Sequence, residues 1–166
     1  FPEYFNAPLM AKFNHLGEAQ SIRGLAQYTE EIRERFVNLA ISYNINIITG
    51  SMPLLKEDGA LYNVGYLIRR DGSYEMYEKV HVTPDEQKSW GLSGGKMVKT
   101  FDTDCARIGV LICYDVEFPE LSRIMADQGM QILFVPFLTD TQNGYSRVRV
   151  CAQARAIENE CFVVIA

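Results

Sequence analysis

A thiol at the end of an apolar run is the first chemically suggestive feature of the chain. In GVLICYDVEFPE, residues 109–120, aliphatic residues lead to Cys113, and the sequence then becomes polar. The apolar half predicts a buried strand, and the polar half predicts the start of a helix. A cysteine at such an elbow lies near backbone N–H groups and a helix N-terminus, which both favour the thiolate. Cys113 is therefore a candidate nucleophile.

Three further ionisable residues stand where predicted strands give way to loops. They are Glu3 in FPEYF, Lys79 in YEKVH and Glu86 in TPDEQ. Active residues gather at such positions in α/β proteins. Taken singly, each is typical of a solvated surface charge, and a single cysteine is typical of a small buried hydrophobe. That plain interpretation is kept for the other cysteines, Cys105, Cys151 and Cys161.

The elements that must position these residues alternate between strands and helices. Apolar residues at intervals of three and four predict one amphipathic helix from Glu18 to Tyr43, after a polar loop. The dipeptide Asp71-Gly72 predicts a hairpin. Pro119 suits the first turn of a helix, and Gly129 suits the position just after its end. Other strands are predicted within INIITGSM, KMVKTFDTDCARIGVLIC, MQILFVPF and CFVVIA, and a last helix within SRVRVCAQARAIENE.

This order predicts an α/β layered protein with helices packed on sheets.

Two groups of charged residues near the elbow are interpreted as structural. The acidic residues after the thiol are expected to order the elbow and the helix start, since acids near a helix N-terminus are favourable. These are Asp115, Glu117 and Glu120. The arginines of the last helix are expected to form surface ion pairs, although one of them could pair with Glu117 or meet a substrate carboxylate. These are Arg147, Arg149 and Arg155.

FPEYF, YEKVH and GVLICYDVEFPELSR, in this order and with these separations, resemble the three signature segments of the nitrilase superfamily of carbon–nitrogen hydrolases. The resemblance covers essentially the whole chain, and the segment around Cys113 is the most specific. It implies an α-β-β-α four-layer sandwich, here as an incomplete domain over residues 1–166. It also implies that two such units join as a homodimer or larger homo-oligomer.

The resemblance further implies a Glu-Lys-Cys triad formed by Glu3, Lys79 and Cys113. Glu3 would act as the general base, and Cys113 would form a thioester with a small amide. Lys79 and the backbone N–H of Tyr114 would stabilise the oxyanion. Glu86 matches a second glutamate on the loop after the lysine, although Asp85 is adjacent. No metal or organic cofactor is required by this chemistry.

Several alternatives stay open at this point. Within the superfamily, nitrile and N-carbamoyl hydrolysis would use the same three residues. From other classes, the chain could be a thiol redox protein, although it lacks a Cys-x-x-Cys pair, or an inactive interaction module on the same fold. The segment PFLTDTQNGYSRVRVCAQARAIENE resembles amidohydrolase members, some of which are fused to an acetyltransferase-like domain.

Composition excludes some partners. The chain has 166 residues, a net charge of −5 and a pI near 5.1, so a nucleic-acid partner is not expected. No apolar run approaches the roughly 20 residues needed to span a membrane. Cys113 and Cys161 lie in or beside apolar strand-like runs, which favours reduced thiols and a cytoplasmic location. The chain begins without Met and ends on a strand-like run, so we expect it to be an internal part of a longer polypeptide.

Overall fold

The computed structural model describes residues 1–166 and contains two sheets with helices on their outer faces. The layers follow the order helix, sheet, sheet, helix, because one set of helices packs on the first sheet and the other set on the second. Four helices carry the labels used below: α1 Glu18–Ala26, α2 Thr29–Tyr43, α3 Pro119–Asp127 and α4 Gln142–Asn159.

The single helix predicted from Glu18 to Tyr43 is wrong, because the chain breaks at Gln27 and Tyr28 into α1 and α2. The hydroxyl of Thr29 is fully buried and donates to the carbonyl of Pro53 at 2.6 Å. This bond fixes the start of α2 on the first sheet. A tertiary hydrogen bond thus overrides a helical periodicity that continues through the break. The predicted polar loop before α1 contains a 3₁₀-helix over Ala7–Phe13.

The first sheet has five strands built around one long central strand. They are β1 Ile47–Ile48, β2 Met52–Leu55, β3 Leu61–Ile68, β4 Tyr74–Glu78 and β5 Leu92–Ser93. β3 pairs antiparallel with β1, β2 and β4 and parallel with β5. The hairpin predicted at Asp71-Gly72 is confirmed, since it joins β3 to β4. Gly72 has a φ of +87°, which the turn requires and glycine permits.

The second sheet has four strands in the order of the chain. They are β6 Thr100–Asp102, β7 Arg107–Val110, β8 Ile132–Val135 and β9 Phe162–Ile165. β6 and β7 are antiparallel, whereas β7, β8 and β9 are parallel and connected through α3 and α4. The predicted α3 is confirmed with Pro119 in its first turn and Gly129 after its end at a φ of +84°.

The largest core cluster lies between the two sheets and under α3 and α4. Leu67 and Tyr77 from the first sheet meet Ile108 and Leu133 from the second. Two smaller clusters bury the faces of α1 and α2 against the first sheet. Both faces of β3 are consequently covered, and seven of its eight residues are buried. This full burial makes a polar side chain within β3 conspicuous.

None of the helices combines the length and the apolar composition that a membrane-spanning helix requires.

Gly65, at the centre of β3, is required by the close approach of its neighbours. A Cβ there would collide with the carbonyl oxygen of Gly50 and would lie 2.5 Å from the ring of Tyr77. We expect Gly65→Ala to lower the free energy of unfolding by about 2–3 kcal/mol, as overpacking in a core does. Urea denaturation followed by circular dichroism measures this.

Gly17→Ala is the matched control, because no atom lies within 4 Å of the Cβ it adds. It should change the unfolding free energy by less than about 1 kcal/mol. Equal destabilisation by the two variants would contradict the close-contact argument.

Candidate active site

Residues from three distant segments meet at one buried place. Lys79 follows β4 directly, and its ammonium donates to Glu3 Oε1 at 2.8 Å. Lys79 is only 1% exposed, Glu3 3% and Cys113 7%. The charges of Glu3 and Lys79 both act on the Cys113 thiol. The structure therefore brings together the three residues that the sequence singled out.

Glu86 joins the same cluster from a π-helical turn, Glu86–Trp90. The Lys79 ammonium donates to Glu86 Oε2 at 2.7 Å and to Oε1 at 2.9 Å. The backbone N–H of Thr83 donates to Oε2 at 2.7 Å, and the Thr83 hydroxyl accepts the N–H of Glu86 at 3.2 Å. Asp85 is exposed to solvent. The loop thus presents Glu86, and not its neighbour, to the ammonium.

Cys113 occupies a sharp elbow after β7. Its φ of +50° is in the left-handed region, which costs a non-glycine residue about 1–3 kcal/mol. The Cys113 N–H donates to the carbonyl of Pro136 at 2.9 Å, and a 3₁₀-helix over Cys113–Glu117 begins at once. The thiol donates to the carbonyl of Leu138 at 3.7 Å. The main chain therefore sets the direction of the thiol.

Glu3 is held by main-chain contacts on both sides. It forms an isolated parallel bridge with Ser51, ahead of β2. The next residue, Tyr4, has a φ of 49° and turns the chain away. Glu3 Oε2 accepts the N–H of Leu138 at 3.1 Å. One peptide segment after β8 thus contacts both the carboxylate and the thiol.

Two residues that the sequence interpretation did not select complete the cluster. Asn63 of β3 is fully buried and donates from Nδ2 to Glu3 Oε1 at 2.9 Å and to Glu86 Oε1 at 3.4 Å. Tyr4 donates its hydroxyl to Glu86 Oε1 at 2.9 Å and packs edge-on against Trp90. A signal existed for Asn63, because an asparagine interrupts the apolar run of a central strand.

Asp115 ties the lysine loop to the cysteine elbow. Its buried carboxylate accepts the N–H of Val80 at 3.2 Å and of His81 at 2.7 Å, directly after the ammonium-bearing residue. It also accepts the N–H of Ile112 at 3.3 Å, directly before the thiol. The expectation that Asp115 orders the elbow is confirmed. The same contacts set the spacing between ammonium and thiol.

The surface ion pairs predicted for the arginines of α4 are found in part, since Arg155 pairs with Glu158 at 2.6 Å but does not lie at the surface. Arg155 is buried, and its Nε donates to the carbonyl of Val116 at 3.0 Å, so that it supports the 3₁₀-helix after the thiol. Desolvated carbonyls at the end of that helix require a donor, which explains the burial. Arg147 does pair with Glu117 at 3.6 Å, while Arg149 is exposed.

Tyr114 stands at the second position of the 3₁₀-helix. No backbone carbonyl in the turns and loops accepts a hydrogen bond from the N–H of Tyr114. A helix leaves its first N–H groups without internal acceptors, which makes them suitable donors to a negative oxygen. The position predicted for oxyanion stabilisation is thus next to the thiol and has a free donor.

Burial and mutual charge determine the protonation of the cluster. Burial opposes the charge of Lys79, but the carboxylates of Glu3 and Glu86 outweigh it and raise the pKa of the ammonium. Burial raises the pKa of Glu3, and the charge of Lys79 only partly offsets this effect. Burial also acts on Glu86, yet the charge and hydrogen bonds of Lys79 hold its pKa below the ordinary value. The two carboxylates are therefore not equivalent.

The thiol differs from the thiolate expected at a helix N-terminus. Burial, followed by the negative charge of Glu3, raises the pKa of Cys113 to about 12. The short 3₁₀-helix does not outweigh these effects. Cys113 is thus a neutral thiol beside a carboxylate of raised pKa.

This arrangement can transfer the proton of the Cys113 thiol to Glu3 and leave the negative charge on the sulfur in one step. The carboxylate of Glu3 can accept the thiol proton, while the Lys79 ammonium donates to Glu3 Oε1. No group of three or more His, Cys, Asp or Glu side chains is arranged to hold a metal ion.

Solved structures share this four-layer arrangement. Nit3 of Saccharomyces cerevisiae, a member of branch 10 of the nitrilase superfamily, has a TM-score of 0.74 and 30% identity over 81% of this chain and 49% of its own. A carbon–nitrogen hydrolase from Helicobacter pylori has a TM-score of 0.79 and 24% identity over 89% of this chain and 54% of its own. The fold is accordingly the α-β-β-α fold of the nitrilase superfamily.

The sequence profile of one family, described as carbon–nitrogen hydrolase, matches residues 1–166. The chain belongs to the carbon–nitrogen hydrolase family.

Curated relatives agree with this assignment. The chain is 48% identical to a probable hydrolase of Bacillus subtilis over 99% of its length, but spans only 32% of that protein. It is 33% identical to human omega-amidase NIT2 over 99% of its length and 60% of the relative. It is 32% identical to a deaminated glutathione amidase of Synechocystis over 91% of its length and 59% of the relative. The chain thus spans less than two thirds of each.

The charge of Glu3 accounts for part of the raised pKa of the thiol, which gives a test of the geometry. We expect Glu3→Gln to lower the pKa of Cys113, because the substitution removes the negative charge beside the thiol. The alkylation rate of Cys113 by iodoacetamide, measured against pH by peptide mass spectrometry, should reach its midpoint at a lower pH in the variant.

Exposed Cys105 is the internal reference, since it is alkylated in the same sample and lies outside the cluster. A Cys113 midpoint that stays unchanged in Glu3→Gln would show that the two side chains do not interact.

Proposed function

We propose that the chain carries the catalytic residues of a hydrolase that cleaves a non-peptide carbon–nitrogen bond of a small amide through a cysteine thioester. The observation that carries the proposal is a buried ammonium, Lys79, held between Glu3 and Glu86 beside the Cys113 thiol. A surface role for any of these residues would not need such burial. Removing several charges from water is costly, and proteins keep such buried charges mainly where they take part in the chemistry of a site.

The first half of the reaction forms the thioester. Glu3 accepts the thiol proton as the sulfur of Cys113 attacks the amide carbon, because a thiol with a pKa of about 12 is not ionised beforehand. The carbonyl oxygen becomes negative and is stabilised by Lys79 and the N–H of Tyr114. When the tetrahedral intermediate collapses, the C–N bond breaks. Glu3 returns the proton to the nitrogen, and ammonia or an amine leaves.

The second half releases the acid. Glu3, again ionised, accepts a proton from a water molecule that attacks the thioester carbon. Collapse of the second tetrahedral intermediate breaks the C–S bond, and the thiolate takes the proton back from Glu3. The product is a carboxylic acid. Glu86 holds the Lys79 ammonium in place throughout, with its own pKa kept low so that it stays ionised.

An amide is favoured over a nitrile or an N-carbamoyl compound by the relatives. Two of them, at 32% and 33% identity, bear the names deaminated glutathione amidase and omega-amidase. A fused acetyltransferase-like domain and a cytoplasmic location stay predictions. The 48% identical Bacillus relative is about three times as long as the matched stretch, which leaves room for a further domain.

We also propose that the protein forms a homo-oligomer through α4. This helix exposes Val150 and Ile157, which are 61% and 80% exposed. The two residues are seven positions apart and so lie on one face of the helix. Apolar side chains on one face of an outer helix suit contact with a second copy.

Activity can be tested directly on Cys113. Purified protein incubated with a panel of small aliphatic amides should release ammonia, and intact mass should reveal an acyl adduct on Cys113 that reports the acyl group. Cys113→Ala should release less than about a thousandth of the ammonia, as expected for loss of a nucleophile. Cys151→Ala, on α4, is the matched control and should retain activity.

Equal ammonia release by Cys113→Ala and wild type would refute the mechanism. A disulfide between Cys113 and another cysteine under mild oxidant, without ammonia release from any amide, would favour the redox alternative.

The oligomer proposal has its own test. Ile157→Asp should convert the assembly to a monomer in multi-angle light scattering, because a carboxylate in an apolar contact is strongly unfavourable. Ile41→Asp is the matched control, an exposed isoleucine on α2 in the opposite layer, and should leave the mass unchanged. A wild-type monomer at all concentrations would overturn the proposal.

A further inference from the structure

Asn63 lies at the centre of the cluster and has no assigned role. It is 0% exposed and belongs to β3, where its neighbours along the strand are mostly apolar. Its carbonyl accepts the N–H of Lys79 at 2.9 Å, so the residue also fixes the backbone from which the ammonium extends. Its side-chain amide contacts the two carboxylates that hold that ammonium.

The orientation of the Asn63 amide follows from its surroundings. Ionised carboxylates only accept hydrogen bonds, so the NH₂ group must face Glu3 and Glu86. Oδ1 then faces away and accepts from no protein donor. A buried polar side chain with an unpartnered oxygen is unfavourable compared with an apolar one of similar size. A purely structural requirement at this position would be better met by leucine or valine.

We infer that Asn63 is a positioning residue of the reaction. Its amide holds Oε1 of Glu3 and Oε1 of Glu86 on the ammonium side of the cluster. Glu3 Oε2 is thereby left for the main-chain N–H of Leu138 and for exchange of the thiol proton. This inference rests on the proposed function only for its consequence in turnover, since the geometry that it describes exists without substrate.

A chemical reason connects this position with proton transfer. Two carboxylates close to one ammonium leave an excess negative charge, which a neutral donor can stabilise without adding a proton of its own. The shorter bond goes to Glu3, at 2.9 Å, against 3.4 Å for Glu86. Loss of the amide therefore removes more stabilisation from the ionised form of Glu3. The ionised form is the one that accepts the thiol proton.

The experiment compares Asn63→Asp with Asn63→Leu. Asn63→Asp keeps the shape of the side chain and replaces the donor with an acid, while Asn63→Leu removes the polar group. Both should raise the pKa of Glu3 and move the acid limb of kcat/KM to higher pH. At low pH we expect a loss of about tenfold, comparable to one charge-assisted hydrogen bond, and a smaller loss at pH 8.

The groups that face Glu3, and so influence this limb, are Lys79, Glu86, Cys113 and Tyr4. A ¹³C NMR titration of the Glu3 carboxyl carbon, assigned with Glu3→Gln, reads its pKa without any turnover. Asn159→Leu is the matched control. Asn159 also has an unpartnered buried Oδ1, but it donates to Ser122 and to the Arg155 carbonyl on α4, outside the cluster.

The outcomes separate the two proposals. A Glu3 pKa raised in both Asn63 variants and unchanged in Asn159→Leu supports the positioning role, even if no amide is hydrolysed and the proposed function fails. An unchanged Glu3 pKa in a folded variant, judged by near-ultraviolet circular dichroism, overturns the positioning role, even if ammonia is released. Where Asn63→Leu does not fold, the isosteric Asn63→Asp decides the question.

Discussion

A lysine ammonium withdrawn from water must be neutralised where it lies, and this requirement organises the centre of the protein. Lys79 is 1% exposed, and its charge would cost several kcal/mol without partners. The partners come from two other segments, at 2.8 Å from Glu3 and 2.7 Å from Glu86. Each segment is in turn fixed by its own contacts, a bridge to Ser51 and a turn closed by Thr83. The charge thus ties loops from three parts of the chain together.

The two carboxylates carry one more negative charge than the single ammonium can neutralise. This excess negative charge acts on the thiol. The negative charge of Glu3 adds to the effect of burial on the pKa of Cys113. A cysteine at a strand-to-helix elbow would otherwise be expected to ionise readily. Here the elbow sets the direction of the thiol, and in the proposed mechanism the nucleophile is generated only when Glu3 receives the thiol proton. In that mechanism, the direction of the thiol and its activation depend on different elements of the structure.

Local patterns in the sequence predicted much of this arrangement, and long-range contacts explain what they missed. The hairpin at Asp71-Gly72 and the helix begun by Pro119 follow from turn chemistry, which depends on adjacent residues. The break at Tyr28 depends on Pro53, a residue of another element. Burial of Arg155 likewise depends on carbonyls at the end of a short helix 39 positions earlier. Periodicity carries no information about either partner.

The site residues divide in the same way. Cys113 and Glu86 stood out because strand ends and loops mark them, whereas Asn63 stands inside a strand, where position suggests packing alone. Its value comes from two carboxylates that are 60 and 23 positions away along the chain. In the sequence, only the presence of a polar side chain within the largely apolar strand β3 could have indicated it.

The peptide segment at Leu138 carries a further consequence. Its N–H donates to Glu3, and its carbonyl accepts from the thiol of Cys113, so the carboxylate and the thiol are connected through the main-chain atoms of one residue. The Leu138 side chain takes no part in these contacts and is itself 54% exposed. Substitution of this side chain by any residue except proline therefore leaves both main-chain contacts available. Alanine scanning would not detect the contribution of this position. Replacement of its amide by an ester would detect it, because the ester lacks the N–H that donates to Glu3.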